Sequence, residues 1–318
     1  MSTPIGVDRD GATPPGRLGG CARARDPALG AHITGAIATI PPMSTPPDIS
    51  LNDSHTIPQV GFGVFQVPPE ETIAAVEHAL SASYRHIDTA ALYRNEAEVA
   101  RAIERSGVSR DDVFVTTKVW NDDHGAERTR RAFDRSLERL GFDYVDLYLI
   151  HWPAPAQHRY LETWETLIEL RQSGRARSIG VSNFQIEHLE RIIGATGVTP
   201  AVNQVELHPR LQLEELRRFH EAHDIATEAW SPLGRGQILD DPVIGEVASS
   251  IGRTPAQVVL RWHIQLGNIV IPRSVRPARI EENFQLFDFE LDESAMAAIG
   301  ELEAGARIGP DPATFVSP

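Results

Sequence analysis

The stretch "RHIDTAALYRNEAEVARAI", residues 85–103, passes through one short turn from an apolar strand-like run into an amphipathic helix. Asp88 and Tyr93 stand five apart in that turn. Alone they decide nothing, because Asp88 reads equally well as a cap or turn residue and Tyr93 as an amphipathic surface residue. What decides the fold is that the strand–turn–helix unit recurs.

From residue 57 onward short apolar runs alternate with longer amphipathic ones, the pattern of a parallel sheet. Eight runs read as strands: "QVGFG" at 59–63, "YRHID" at 84–88, "VFVTTK" at 113–118, "YVDLYLIH" at 144–151, "RSIGVS" at 177–182, "AVNQVE" at 201–206, "IATEAW" at 225–230 and "NIVIP" at 268–272. Helical patterns such as "AERTRRAFDRSLERLG" and "YLETWETLIELRQSG" lie between them, several closed by glycine. Eight such units in one chain favour a closed (β/α)8 TIM barrel over an open doubly wound sheet. The "GFGVFQ" of the first strand supports this, since it lacks the third glycine and the following helix of a dinucleotide-binding loop. Ahead of it, "ISLNDSHTIPQVG" reads as a short hairpin turned at Asn52 and Asp53 that would close the barrel floor.

Residues 1–46 are rich in Gly, Pro, Ala and Arg without a hydrophobic period, and read as a disordered leader or, given Met43, a start-site artefact. Residues 47–318 read as a single barrel domain. The chain carries a formal net charge of −14 with a pI near 5.3, which disfavours nucleic acid and anionic membrane as partners. One cysteine, Cys21, excludes an internal disulfide and fits a reducing cytoplasm. No apolar run is long enough for a membrane helix, and no structural metal site is expected.

In a barrel of this type the active site forms where the strands end. Those ends carry Asp88, with Tyr93 on the loop beyond, then Lys118, His151, Ser182 and Asn183, Gln204, and Trp230. A lone Lys or His at a strand end is usually a solvated charge or a wall residue. Their coincidence on one rim is the signal. An ammonium beside a phenol lowers its pKa toward the working range, a carboxylate keeps the ammonium charged, and a neutral imidazole can orient a carbonyl oxygen. Such a set protonates an oxygen as charge develops on it, so it calls for a borrowed hydride donor. Trp230 offers a flat face for a nicotinamide, and Ser182, Asn183 and Gln204 suit its carboxamide. In "IPRSVRPARIEEN", Arg273, Ser274, Arg276 and Arg279 gather at a helix start, a place for a phosphate.

The motifs "DTAALYRNE", "TTKVWNDDHG", "VDLYLIHWP", "SIGVSNF", "VNQVELHP" and "IPRSVRPARIEENFQLFDFEL" resemble those of the aldo-keto reductases, in that family's order, over about residues 48–316. The resemblance implies a usually monomeric TIM barrel that reduces aldehydes and ketones with NADPH. It implies Tyr93 as general acid, supported by Lys118 and Asp88, with His151 orienting the carbonyl. Trp230 would stack on the nicotinamide, and Ser182, Asn183 and Gln204 would hold its carboxamide. Ser231, Leu233, Arg273, Ser274, Val275 and Arg279 would meet the rest of the cofactor, with Glu282 and Asn283 near the adenine. Arg273 stands where many relatives have Lys, keeping the charge with a different fork geometry. "EAWSPLGRGQIL" is most similar to bacterial 2,5-diketo-D-gluconate reductases, and Phe65, Trp120 and Trp152 are candidate substrate walls.

Three other readings compete. A Schiff-base aldolase would need Lys118 free of a carboxylate partner. A nicotinamide-sensing subunit would bind NADPH with little turnover. A metal-dependent hydrolase would need a second His beside "HID" at 86–88.

Overall fold

A computed structural model describes residues 46–315. The proposed leader, residues 1–46, lies outside the described residues but for Pro46. Two short antiparallel strands come first, β1 (Asp48–Ser50) and β2 (Thr56–Pro58), with Ser50 opposite Thr56, so the connection spans residues 51–55 around Asn52 and Asp53. Eight parallel strands follow: β3 (Phe62–Gly63), β4 (His86–Asp88), β5 (Phe114–Val119), β6 (Val145–Ile150), β7 (Ala176–Ser182), β8 (Val202–Glu206), β9 (Ala226–Trp230) and β10 (Ile269–Val270). Each neighbours the next in sequence order. The ends meet as well: Gly61 N donates to Val270 O at 2.8 Å and Val270 N to Gln59 O at 3.0 Å, which closes the barrel.

These closing strands are shorter than the runs at 59–63 and 268–272 predict. Pro272 has no N–H to extend the ladder, so beyond Val270 the seam continues only as Gly63 N donating to Pro272 O at 3.2 Å. Gly63 and Gly61 keep it tight. A Cβ on Gly61 would stand 2.4 Å from His86 Nδ1.

The outer layer is α1 (Pro69–Ser81), α2 (Glu96–Ser106), α3 (Ala126–Leu140), α4 (Tyr160–Gln172), α5 (Ile186–Thr196) and α6 (Glu214–Ala222), one after each of β3 to β8. Between β9 and β10 lie two helices, α7 (Pro242–Ile251) and α8 (Pro255–Gln265), and after β10 come α9 (Pro277–Phe284) and α10 (Glu293–Gly300). Local signals set their ends: Thr254 and Gln257 form a reciprocal capping box that spans Pro255 at the first helical position, and Gly141 ends α3 at a φ of 63°. No helix among the described residues is long and apolar enough to cross a membrane.

Strand alternation divides the core in two. On β6 every residue is buried, but Tyr148 and Ile150 pack toward the helices while Leu147 and Leu149 pack inside with Val202, Ile269 and the hairpin's Leu51 and Ile57. The hairpin therefore fills the N-terminal end of the barrel, pinned by Asn52 Nδ2 donating to Pro200 O at 2.9 Å. With that end packed by apolar side chains, polar groups gather at the other.

Candidate active site

The last inward positions of β4 and β5 place Asp88 and Lys118 side by side, both buried. Lys118 Nζ lies 2.7 Å from each Asp88 carboxylate oxygen, donates to Thr89 O at 3.0 Å, and stands 3.4 Å from Tyr93 Oη. A short 3-10 turn, Ala91–Tyr93, brings the phenol over the pair, and the αL conformation of Arg94 ends that turn. His151, just past β6, places Nε2 3.5 Å from Tyr93 Oη. All four residues thus meet at one mouth.

Charge in this mouth is balanced by opposing effects. Burial works against the Lys118 ammonium, yet Asp88 and Tyr93 outweigh it, so its pKa stands above the ordinary value. Burial, with Lys118 and His124 adding to it, pushes His151 well below the usual imidazole range and leaves it neutral. For Tyr93 the expected lowering by Lys118 is present but is not the larger effect. Burial pushes the phenol up to about 12, with Asp88 and Glu228 also raising it.

Glu228 was absent from the sequence-derived set. It sits on β9 two residues before Trp230, and strand alternation carries it to the same inward side. It is wholly buried, and Gln204 Nε2 bridges it to the first carboxylate, donating to Asp88 Oδ2 and to Glu228 Oε2 at 2.8 Å each. Its other oxygen has no hydrogen-bond partner and lies 3.7 Å from His86 Nε2. Burial, then the Asp88 charge, raises its pKa to about 8, so at neutral pH it is mostly a neutral acid.

Above this layer Ser182 Oγ donates to Gln204 O at 2.8 Å, and Asn183 Nδ2 donates to His151 O and to Ser182 Oγ at 3.0 Å. Asn183 adopts a φ of 64°, tolerable for Asn, and its Oδ1 accepts the Trp230 indole N–H at 2.9 Å. A cavity of about 730 Å³ opens here. Its lining includes Asp88, Tyr93, His151, Ser182, Asn183, Gln204 and Trp230 at one end, and Ser231, Leu233, Arg273, Ser274, Arg279, Glu282 and Asn283 at the other. Lys118 lies beneath the floor. Val275 does not join the lining: Ile271 to Ser274 line the cavity in succession, and at the turn before α9 the chain leaves it, with Val275 45% exposed.

Phe65, Trp120 and Trp152 also line the cavity. Phe65 packs on Tyr93 with ring centroids 5.0 Å apart and Trp120 on His151 at 5.1 Å. Phe315, which the sequence reading missed, closes the wall at 4.5 Å from Trp152. The arrangement can hold a carbonyl oxygen near a phenol and an imidazole, with an aromatic wall beside it and exposed guanidinium groups farther along.

Sequence comparison adds to this geometry. The family profile described as "Aldo/keto reductase family" matches residues 59–304. An aldo-keto reductase of Mycolicibacterium smegmatis is 59% identical over 269 residues, covering 85% of this chain and 98% of that protein. A methylglyoxal reductase, DkgA, of Escherichia coli is 50% identical over 275 residues, covering 86% and 99%. Among solved structures, a mutant of Gox0644 in complex with NADPH superposes with a TM-score of 0.83 at 51% identity, over 86% of this chain and 99% of that one. A profile match over most of the barrel and identities of half or more, on a fold with this strand order, show that the chain belongs to the aldo/keto reductase family.

Proposed function

We propose that this chain reduces small aldehydes, ketones and dicarbonyl compounds to alcohols with NADPH, Tyr93 giving the proton. The observation that carries the reading is the buried Lys118 ammonium held 2.7 Å from both Asp88 oxygens and 3.4 Å from Tyr93 Oη at the cavity floor. The same contact disfavours a Schiff-base lysine, whose amine has to be free and neutral.

The residues fit the cofactor. Gln204 spends both amide hydrogens on carboxylates, and Asn183 spends both on His151 O and Ser182 Oγ. Gln204 Oε1 is left as an acceptor, and Asn183 Oδ1 has one lone pair left beside the Trp230 N–H, both matched to the NH2 of a carboxamide. Trp230 is fixed through its N–H, so its ring can serve as a stacking face. Arg279 is exposed at the far end of the cavity beside Ser274 and, among the described residues, has no carboxylate partner. It suits the 2′-phosphate that distinguishes NADPH from NADH. The reduced nicotinamide supplies the hydride.

A phenol near 12 is fully protonated at neutral pH and still far more acidic than the product alcohol, which lies near water at about 16. Proton transfer from Tyr93 to the developing alkoxide is therefore downhill. Lys118, 3.4 Å away, stabilises the phenolate left behind. Neutral His151 can donate a ring hydrogen to the carbonyl oxygen and hold it near Tyr93. Phe65, Trp120, Trp152 and Phe315 make a wall suited to small carbonyl compounds; the methylglyoxal reductase relative points to methylglyoxal, and the resemblance of "EAWSPLGRGQIL" adds 2,5-diketogluconate.

The test is NADPH oxidation with methylglyoxal, 2,5-diketogluconate, an aromatic aldehyde and a cyclic ketone, for the wild type and Tyr93→Phe. The expected result is turnover that falls by roughly 10²–10⁴ in kcat in the variant while NADPH affinity holds. NADPH binding with no turnover on any compound would instead support a nicotinamide-sensing protein.

A further inference from the structure

Glu206, the last residue of β8, ends the motif "VNQVELHP" and has no part in the chemistry above. Its carboxylate is wholly buried. A buried carboxylate is costly unless its oxygens are occupied, so its partners show what it is for. Oε1 accepts from Ile308 N at 2.6 Å and from His208 Nε2 at 3.1 Å; Oε2 accepts from Gly309 N at 2.8 Å, with Arg307 Nη1 3.9 Å away. These hydrogen bonds overcome burial and hold the carboxyl below its usual pKa.

Two successive backbone N–H groups of a distant segment end on this one side chain. That segment, residues 307–315, is a strap running from the loop beside β8 to the cavity rim. Its root is tied through Ala306 N to Arg210 O at 2.9 Å. Its tip is tied mainly to itself, with Thr314 N and Phe315 N donating to Asp311 O at 3.2 and 2.9 Å. Among the described residues, Glu206 is the polar attachment between root and tip.

Gly309 connects the latch to the cofactor face. A Cβ there would lie 2.5 Å from Trp230 Cη2 and 2.9 Å from Glu206 Oε2, so the strap backbone lies flush against the benzo edge of the indole. Trp230 is thus held at both ends, by Asn183 at the pyrrole N–H and by Gly309 at the far edge. One residue on, Pro310 lines the cavity, and Phe315 packs on Trp152 and Trp120.

We infer that Glu206 is a positioning residue: its buried carboxylate latches the strap over the cavity mouth and, through Gly309, sets the Trp230 indole and the Phe315 wall. The inference rests on reading the cavity as the carbonyl site. Glu206 touches neither hydride nor proton, so its loss acts first on binding, through the Phe315 wall and the Trp230 face, and only secondarily on the chemical step.

The test compares full-length wild type with Glu206→Ala and Gly309→Ala. Trypsin cleaves after Arg307, at the amide whose N–H Glu206 accepts. Release of the latch is expected to speed cleavage at that bond at least tenfold under native conditions, with other sites unchanged. With methylglyoxal as the probe, KM should rise about tenfold while kcat stays within threefold. Glu206→Gln, which keeps one acceptor oxygen, should fall between. If Glu206→Ala does not fold, Gly309→Ala decides, because it leaves the carboxylate in place and lifts the strap from the other side. Unchanged cleavage and unchanged KM in the folded variants would overturn the latch. A wild type without turnover on any carbonyl would defeat the reductase reading alone, since the cleavage measurement needs no activity.

Discussion

Glu228→Gln isolates one buried proton. Glu228 ionises near 8 in the folded protein against 4.5 in its ordinary state. The folded chain therefore keeps a proton that the unfolded chain has already lost. A carboxyl with a raised pKa contributes stability fully present below 4.5 and lost as pH rises toward and through 8. Each pH unit inside that window is worth about 1.4 kcal/mol, so from pH 5 to pH 8 wild type should lose on the order of 3 kcal/mol that the variant keeps. Gln preserves the acceptor for Gln204 Nε2 and carries no titrating group among Asp88, Lys118, Tyr93 and His86. Equilibrium urea unfolding of both proteins at four values between pH 5 and pH 8 measures the difference, in which titrations common to both cancel. Parallel pH curves would refute the reasoning, because they would mean that Glu228 is already ionised at pH 5 in the folded state.

Lys118→Met removes the ammonium and leaves Asp88 buried with Gln204 as its remaining donor; a loss of about 3–5 kcal/mol in stability is expected, measured by denaturant unfolding. Arg279→Ala should weaken NADPH binding by roughly ten- to a hundredfold and leave NADH binding unchanged, read by direct cofactor titration. Gly180→Ala would place a Cβ 2.5 Å from Val202 O and 3.1 Å from Val202 N, both backbone atoms, and should cost about 1–3 kcal/mol, seen as a lowered Tm with activity per folded molecule retained.

Much of the barrel is legible in the chain because its signals are local. Apolar runs alternate with 3.6-residue periodicity, glycines and capping residues sit at helix ends, and side chains at strand ends face one mouth by the geometry of the fold. Asp88, Tyr93, Lys118 and His151 are separated by up to 63 residues, yet each could be placed on the rim from the strand it ends or follows. The hairpin plug is local too, since its register follows from the turn around Asn52 and Asp53.

Other features depend on distances that no local pattern encodes. Gln204 meets Asp88 across 116 residues and Ile308 meets Glu206 across 102. Alternation from Trp230 puts Glu228 inside the barrel, but only packing shows that it is buried deeply enough, and near enough to Asp88, to keep its proton. Tyr93 makes the same point. Residue types correctly indicate that Lys118 lowers the phenol's pKa, whereas the depth of burial makes the net shift upward. The sequence by itself determined the elements, their order and which side chains face the mouth, because those follow from periodicity and chain stereochemistry. Only the tertiary structure decided which carboxyl keeps its proton, which carboxylate meets the strap's N–H groups and which way the phenol's pKa moves, because Coulomb and desolvation energies depend on through-space separation and burial.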